Sequence, residues 1–304
     1  MSRTRFFSGF DRIDSVYKTV DGVPFEVSTL IPKGPSSSPR PVLAHFHSGG
    51  FVLGTALDPQ TFPRLLEFAE TKGAVVVSPC HRLLPEASGC DILDDVRDFW
   101  AWLNTSLARV VSATRDDVSV DLDRIAVAGQ DSGGVLALLS VTDMSQVRLK
   151  MAIGQYCAMD AESAVFNQKP PLLLPDQESH LSDYLARIRP GTFRLSSPYP
   201  EYAELLSAAL ETGRWRELLG DDTSLRLRRF LDAEKLPPVW IVQGADDRMV
   251  SKAAADELVG KIRERHPETP LLYTVATGGY GFDIQQGIGE KWVQEGVAFV
   301  NQYW

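Results

Sequence analysis

The chain has 304 residues, 44% hydrophobic and 23% charged. That balance suits a globular protein whose core is large enough to stand without cross-links. The formal net charge of −9 argues against nucleic acid and against docking on an anionic membrane surface, because an acidic surface is repelled by both. Three cysteines, Cys80, Cys90 and Cys157, with no C-x-x-C spacing, do not make a disulfide framework and predict a reducing compartment, hence a cytoplasmic location. No signal-peptide pattern opens the chain, and no run reaches the roughly 20 apolar residues of a membrane helix.

In chain order, "SVYKTV-DG-VPFEVSTLIP" (15–32) predicts two strands around an Asp21-Gly22 hairpin turn. "VLAHFH" (42–47) predicts a short buried strand, followed by a turn at Gly49-Gly50. "PQTFPRLLEFAETKG" (59–73) predicts a helix with a glycine stop. "AVVVSPC" (74–80) is a β-branched buried strand. In 91–107, Ile92, Val96, Phe99 and Leu103 recur at helical spacing. "RIAVAG" (124–129) predicts another buried strand with a helix opening at "SGGVLALLSV", and 147–157 a further strand. The alternation then lapses across 158–235. An unstructured loop of that length is improbable inside a domain, so this stretch predicts a helical cap insertion. The rhythm resumes with strand 238–244, helix 251–266, strand 270–276 and a last helix near 289–302. The predicted fold class is α/β, a mainly parallel sheet flanked by helices. Its core comprises 1–157 and 236–304, and 158–235 is the cap.

Five segments carry a resemblance in this order: His47-Ser48-Gly49-Gly50-Phe51, "HRLLPEA" (81–87), "RIAVAGQDSGG" (124–134), "GADDRMV" (244–250) and "GGYGFD" (278–283). Together they resemble the α/β-hydrolase fold, in its hormone-sensitive-lipase-like branch with an H-G-G-G motif. The resemblance spans roughly residues 40–300 apart from the cap. It implies an oxyanion hole at Gly49, Gly50 and the N–H of Ser132, and an acid at Asp247. Two departures stand out. Where the family has its serine nucleophile this chain has Asp131, and where it has its histidine this chain has Tyr280. Gly129 and Gly133 flank Asp131 as the crowded elbow requires, which favours Asp131 at the tip. A shifted elbow raising Ser132 is the alternative. His47, Ser48, Gln130 and His81 are further pocket candidates, and His81, in the family's tyrosine place, is the first replacement base to consider.

A serine triad needs a base, and a phenol with pKa near 10 is a weak one at neutral pH. In this fold, haloalkane dehalogenases and epoxide hydrolases attack with aspartate, but histidine then activates the water. The departures therefore predict a non-hydrolytic enzyme. Asp131 would move a proton, Tyr280 would donate one, and the glycine turn would stabilise negative charge. The expected reaction is cyclisation, epoxide opening, dehydration or isomerisation of a small apolar metabolite such as a polyketide or alkaloid intermediate. The alternatives are an ester or epoxide hydrolase using Asp131 or Ser132, and a ligand-binding receptor. No metal and no organic cofactor is expected, since neither H-E-x-x-H nor a phosphate-binding glycine loop is present. A homodimer is compatible with the sequence.

Overall fold

The Asp21-Gly22 turn sets the first hairpin. Both residues have positive φ, 49° and 80°, the conformation that lets a two-residue turn match strand twist. Strands β1 (Phe10–Val20) and β2 (Val23–Pro32) pair antiparallel, from Val20 opposite Val23 to Phe10 opposite Pro32. In this computed structural model the described residues are 7–58, 63–143, 147–159, 175–197, 202–219 and 222–304. Strand β1 begins five residues before the hairpin pattern predicts. It is an edge strand whose positions mostly alternate half-buried and exposed, so its outer half carries little hydrophobic signal.

The next elements are β3 (Arg40–Phe46), α1 (Pro63–Lys72), β4 (Val75–Pro79), α2 (Gly89–Thr114), β5 (Val120–Gln130), α3 (Ser132–Asp143) and β6 (Leu149–Gln155). After them come α4 (Pro175–Arg187), α5 (Ala203–Glu211), α6 (Trp215–Leu219) and α7 (Arg228–Leu231). The chain closes with β7 (Val239–Gly244), α8 (Lys252–Arg265), β8 (Leu271–Ala276) and α9 (Lys291–Val300). The eight strands form one sheet in the order β1-β2-β4-β3-β5-β6-β7-β8. Pairing is antiparallel through β1, β2 and β4 and parallel from β4 to β8.

Strand periodicity decides the two layers. Val42, Ala44, Phe46, Ile125 and Val127 enter one core with residues of α2, α3 and α8. Leu43, Val76, Ala126 and Ala128 enter the other, with Leu66 and Phe68 of α1 and Val300 of α9. Both faces are dry, so the central strands read as continuous apolar runs. Helix α2 starts earlier than its periodic stretch suggests. Ser88 and Asp91 make a reciprocal capping box that sets the start at Gly89.

Between β6 and β7 lie α4 to α7. Leu181, Leu205, Trp215 and Phe230 from these helices are buried in the same core as the α2–α3 face of the sheet. Part of the predicted cap, residues 160–174, 198–201 and 220–221, lies outside the described residues, as do residues 59–62 of the predicted helix after β3. Among the described residues no helix is long and apolar enough to cross a membrane.

Candidate active site

Parallel strands deliver their following loops to one edge of the sheet, where open α/β folds place their ligands. Strand β5 ends at Gln130 and α3 begins at Ser132, leaving Asp131 alone at the turn. Its φ of 55° is rare for a residue with a Cβ and marks local strain. The turn is secured by Asp131 N–H on the Gln155 carbonyl at 2.9 Å and Gly134 N–H on the Asp131 carbonyl at 3.0 Å. Its sharpness needs glycine on both sides. A Cβ on Gly129 would sit 2.1 Å from the Gly133 carbonyl oxygen, and one on Gly133 would sit 2.2 Å from that of Phe46 and 2.4 Å from that of His47. These are backbone atoms that cannot yield, so Gly133→Ala is expected to lose about 2–4 kcal/mol of stability. Urea denaturation checks this; a loss below about 0.5 kcal/mol would contradict the packing described.

The second loop follows β3. Gly49 and Gly50 have φ of 120° and 60°, and both aim their N–H groups at one atom. Each donates to Asp131 Oδ2 at 2.9 Å. The Ser132 N–H and the Tyr280 hydroxyl also hydrogen-bond the same carboxylate. Asp131 is 3% exposed. Burial pushes its pKa up, the four hydrogen bonds pull it down, and the net direction is upward. Tyr280 shows part of its ring to solvent, 39% exposed, while its hydroxyl sits deep. Burial, then the Asp131 charge, hold that hydroxyl well above its ordinary range. It is a phenol donating to a carboxylate.

Asp247, after β7, accepts from the N–H groups of Met249 (2.8 Å) and Val250 (3.0 Å) and from Gln243 Nε2 (3.2 Å). Its charge is also felt by Tyr280. Three further residues, which no spacing in the sequence singles out, stand beneath Tyr280. Tyr156 packs on it with ring centroids 5.2 Å apart and hydrogen-bonds Asp283. Asp283 is ion-paired with Arg64, whose guanidinium lies 4.8 Å over the Trp292 ring.

Other candidates are turned elsewhere. Gln130 is corrected as a pocket residue: its side chain points to the α1–α9 face, where its Oε1 bonds His45 Nε2 at 2.8 Å. Alternation along β5 sends it away from Asp131. His81 is corrected as a replacement base. It is 1% exposed, its Nδ1–H donates to the Arg82 carbonyl at 2.8 Å, and it stacks on His47 at 4.5 Å. His47 in turn donates to the Ser48 carbonyl at 2.8 Å, so both rings brace the loop from behind. Ser48 contributes that carbonyl. His180 is exposed on α4, and His266 bonds the Leu231 carbonyl beyond α8. Among the described residues, no histidine is hydrogen-bonded to Asp131.

A family model for the alpha/beta hydrolase fold matches residues 43–257. The chain is 30% identical to the probable carboxylesterase M8 of Phoma sp., over 98% of each chain. A 161-residue stretch is 29% identical to the non-reducing polyketide synthase pkbA of Emericella nidulans, covering 51% of this chain and 6% of that one. The crystal structure of esterase LipW from Mycobacterium marinum superimposes with a TM-score of 0.62 at 21% identity, over 98% of this chain and 82% of that one. The chain therefore belongs to the α/β-hydrolase fold family, with full-length similarity to a carboxylesterase.

Proposed function

We propose that the protein is a hydrolase of small, largely apolar esters or epoxides in which Asp131 is the nucleophile. One observation carries the reading: three backbone N–H groups converge on the Asp131 carboxylate. In a serine hydrolase such donors wait for the substrate's carbonyl oxygen. Here they hold the protein's own carboxylate, the arrangement needed to hydrolyse an ester formed on Asp131.

In the first step the other carboxylate oxygen, Oδ1, bonds to the substrate carbon, the C–O bond breaks, and the leaving oxygen takes the Tyr280 proton. In the second, water attacks the Asp131 carbonyl carbon and gives one proton back to the Tyr280 phenolate. The oxyanion forms against the Gly49, Gly50 and Ser132 N–H groups, and as it collapses the remaining water proton passes to the departing oxygen, which releases the product and restores the aspartate. A phenolate held above its ordinary pKa is a strong base, so this cycle runs without histidine. Full-length similarity to a carboxylesterase supports hydrolysis, and similarity to a polyketide synthase supports a polyketide-derived substrate. Exposed Met249, Tyr280 and Ile284 provide apolar surface beside the site.

A second reading is non-hydrolytic acid/base chemistry, such as cyclisation, dehydration or isomerisation. The observation favouring it is the buried phenol–carboxylate pair with both groups shifted upward. The deciding experiment uses short nitrophenyl esters and aryl epoxides with wild type, Asp131→Asn and Ser132→Ala. Turnover absent in Asp131→Asn, kept in Ser132→Ala, and leaving 18O from labelled water in the Asp131 peptide is the expected result. Turnover lost only in Ser132→Ala would overturn it in favour of serine. No hydrolysis of either class would favour the acid/base reading or, if ligands bind without change, a receptor.

A further inference from the structure

The segment before α5 reaches under the glycine loop and ties it to the helices above. Its backbone pairs first with one loop and then with the other. Leu83 N–H donates to the Arg194 carbonyl at 2.9 Å, and Gly54 and Ser197 exchange both their backbone hydrogen bonds, at 2.8 and 2.9 Å. The Arg194 guanidinium then spans the gap. Its Nη1 donates to the Val52 carbonyl at 3.0 Å, and its Nη2 donates to the Leu84 carbonyl at 2.5 Å. The same Nη2 lies 2.8 Å from the carboxylate of Glu86, which also accepts from the Tyr184 hydroxyl on α4. The guanidinium lies 4.0 Å from the centroid of the Tyr202 ring.

Each contact leads to the catalytic turn by a short route. Val52 and Leu53 donate their N–H groups to the Gly49 carbonyl, both at 3.0 Å. The Val52 carbonyl that Arg194 grips therefore belongs to the same tight turn that aims Gly49 and Gly50. Leu84 N–H bonds the Phe51 carbonyl at 2.8 Å, joining the second gripped loop to that turn. Tyr202 immediately precedes α5 with a φ of 60°. One turn into that helix, Leu206 covers Gly50, so closely that a Cβ there would lie 2.8 Å from its Cδ1. One guanidinium thus fixes the turn from below and the start of the helix that roofs it.

We propose that Arg194 is a positioning residue for the Gly49 and Gly50 N–H donors, coupling their aim to the seating of α5. The planar fork matters: it serves two carbonyls and a carboxylate while its face lies on an aromatic ring. A lysine keeps the charge and loses the fork. The role rests on the reading in which those donors act on Asp131, and the test separates the two.

Gly49 and Gly50 amide resonances are followed by 1H–15N NMR in wild type, Arg194→Lys, Arg194→Met and Asp131→Asn. Hydrogen bonds to a carboxylate push amide protons downfield, so Asp131→Asn calibrates the signal. In Arg194→Met both resonances are expected to move upfield, while amides of Ala126 and Val127 in β5 stay in place. The Asp131 titration, read at the same two amides, is expected to rise by about one pH unit as the donors loosen. Arg194→Lys should show the same direction, and it keeps the test decisive if Arg194→Met does not fold. Unchanged glycine resonances and an unchanged titration in a folded Arg194 variant would overturn the proposal. Resonances that respond to Arg194→Lys but not to Asp131→Asn would uphold the coupling while removing Asp131 from the donors.

Discussion

Asp131→Ser combined with Tyr280→His is expected to turn the protein into a serine esterase. The double variant should hydrolyse nitrophenyl butyrate ~10²–10³ times faster than Asp131→Ser alone, with a burst of nitrophenol from acyl-enzyme formation. The reason is what the site retains. The family resemblance puts Asp247 at the acid position; it is held by the Met249 and Val250 N–H groups, and its field reaches residue 280. Removing the aspartate side chain frees the Gly49 and Gly50 N–H groups, now 2.9 Å from Oδ2, for a substrate oxyanion. The serine alone lacks a base, and the added histidine supplies one, so the gain over Asp131→Ser is large. A folded double variant with no burst and no gain over Asp131→Ser would show that Asp247 and the donors are not aligned for a triad.

The second large effect is acid lability. Burial holds His45 near pKa 4, His47 near 3 and His81 near 4, each depressed from the ordinary 6.5. All three fold as neutral imidazoles. Below about pH 6.5 the unfolded chain binds protons that the native state refuses, so their stabilisation is complete above that value. It is lost as pH falls toward the folded values. At about 1.4 kcal/mol per unit per group, the loss at pH 5 is roughly 4–6 kcal/mol, a large share of a typical domain's stability. Asp131 and Asp247, whose pKa values are raised by burial, act in the opposite sense. Thermal melts from pH 7.5 to 4.5 should show Tm falling steeply below pH 6. His81→Tyr should flatten that fall by about a third, one group of three. A flat profile between pH 7 and 5 would contradict neutral burial of these rings.

Most of the architecture was legible because it rests on local pattern. β5 and β6 are buried on both faces and read as apolar runs. The helices show their spacing, and the Asp21-Gly22 turn announces the hairpin. The elbow was legible for a steric reason: Gly129 and Gly133 bracket Asp131, and the structure has backbone atoms where their Cβ atoms would stand. What could not be read was direction and company. The sequence put Gln130 and His81 among the pocket residues. Strand alternation turns the first to the opposite face, and stacking on His47 closes the second behind the loop. The expectation of chemistry other than hydrolysis rested on the missing histidine, and full-length similarity to a carboxylesterase weighs for hydrolysis.

The sequence by itself determined the fold class and the order of the five family segments, and its resemblance to that family set the expectation of a carboxylate and a phenol where serine and histidine are usual. The first follows from periodicity, and the others from the resemblance those segments carry. Only the tertiary structure decided that the glycine N–H groups spend their hydrogen bonds on Asp131. It alone brought Arg64, Asp283 and Tyr156 beneath Tyr280, and Arg194 beneath the glycine turn. These contacts join residues 80 to more than 200 positions apart. No local propensity encodes them, because their geometry exists only once the sheet has set the ends of its strands side by side.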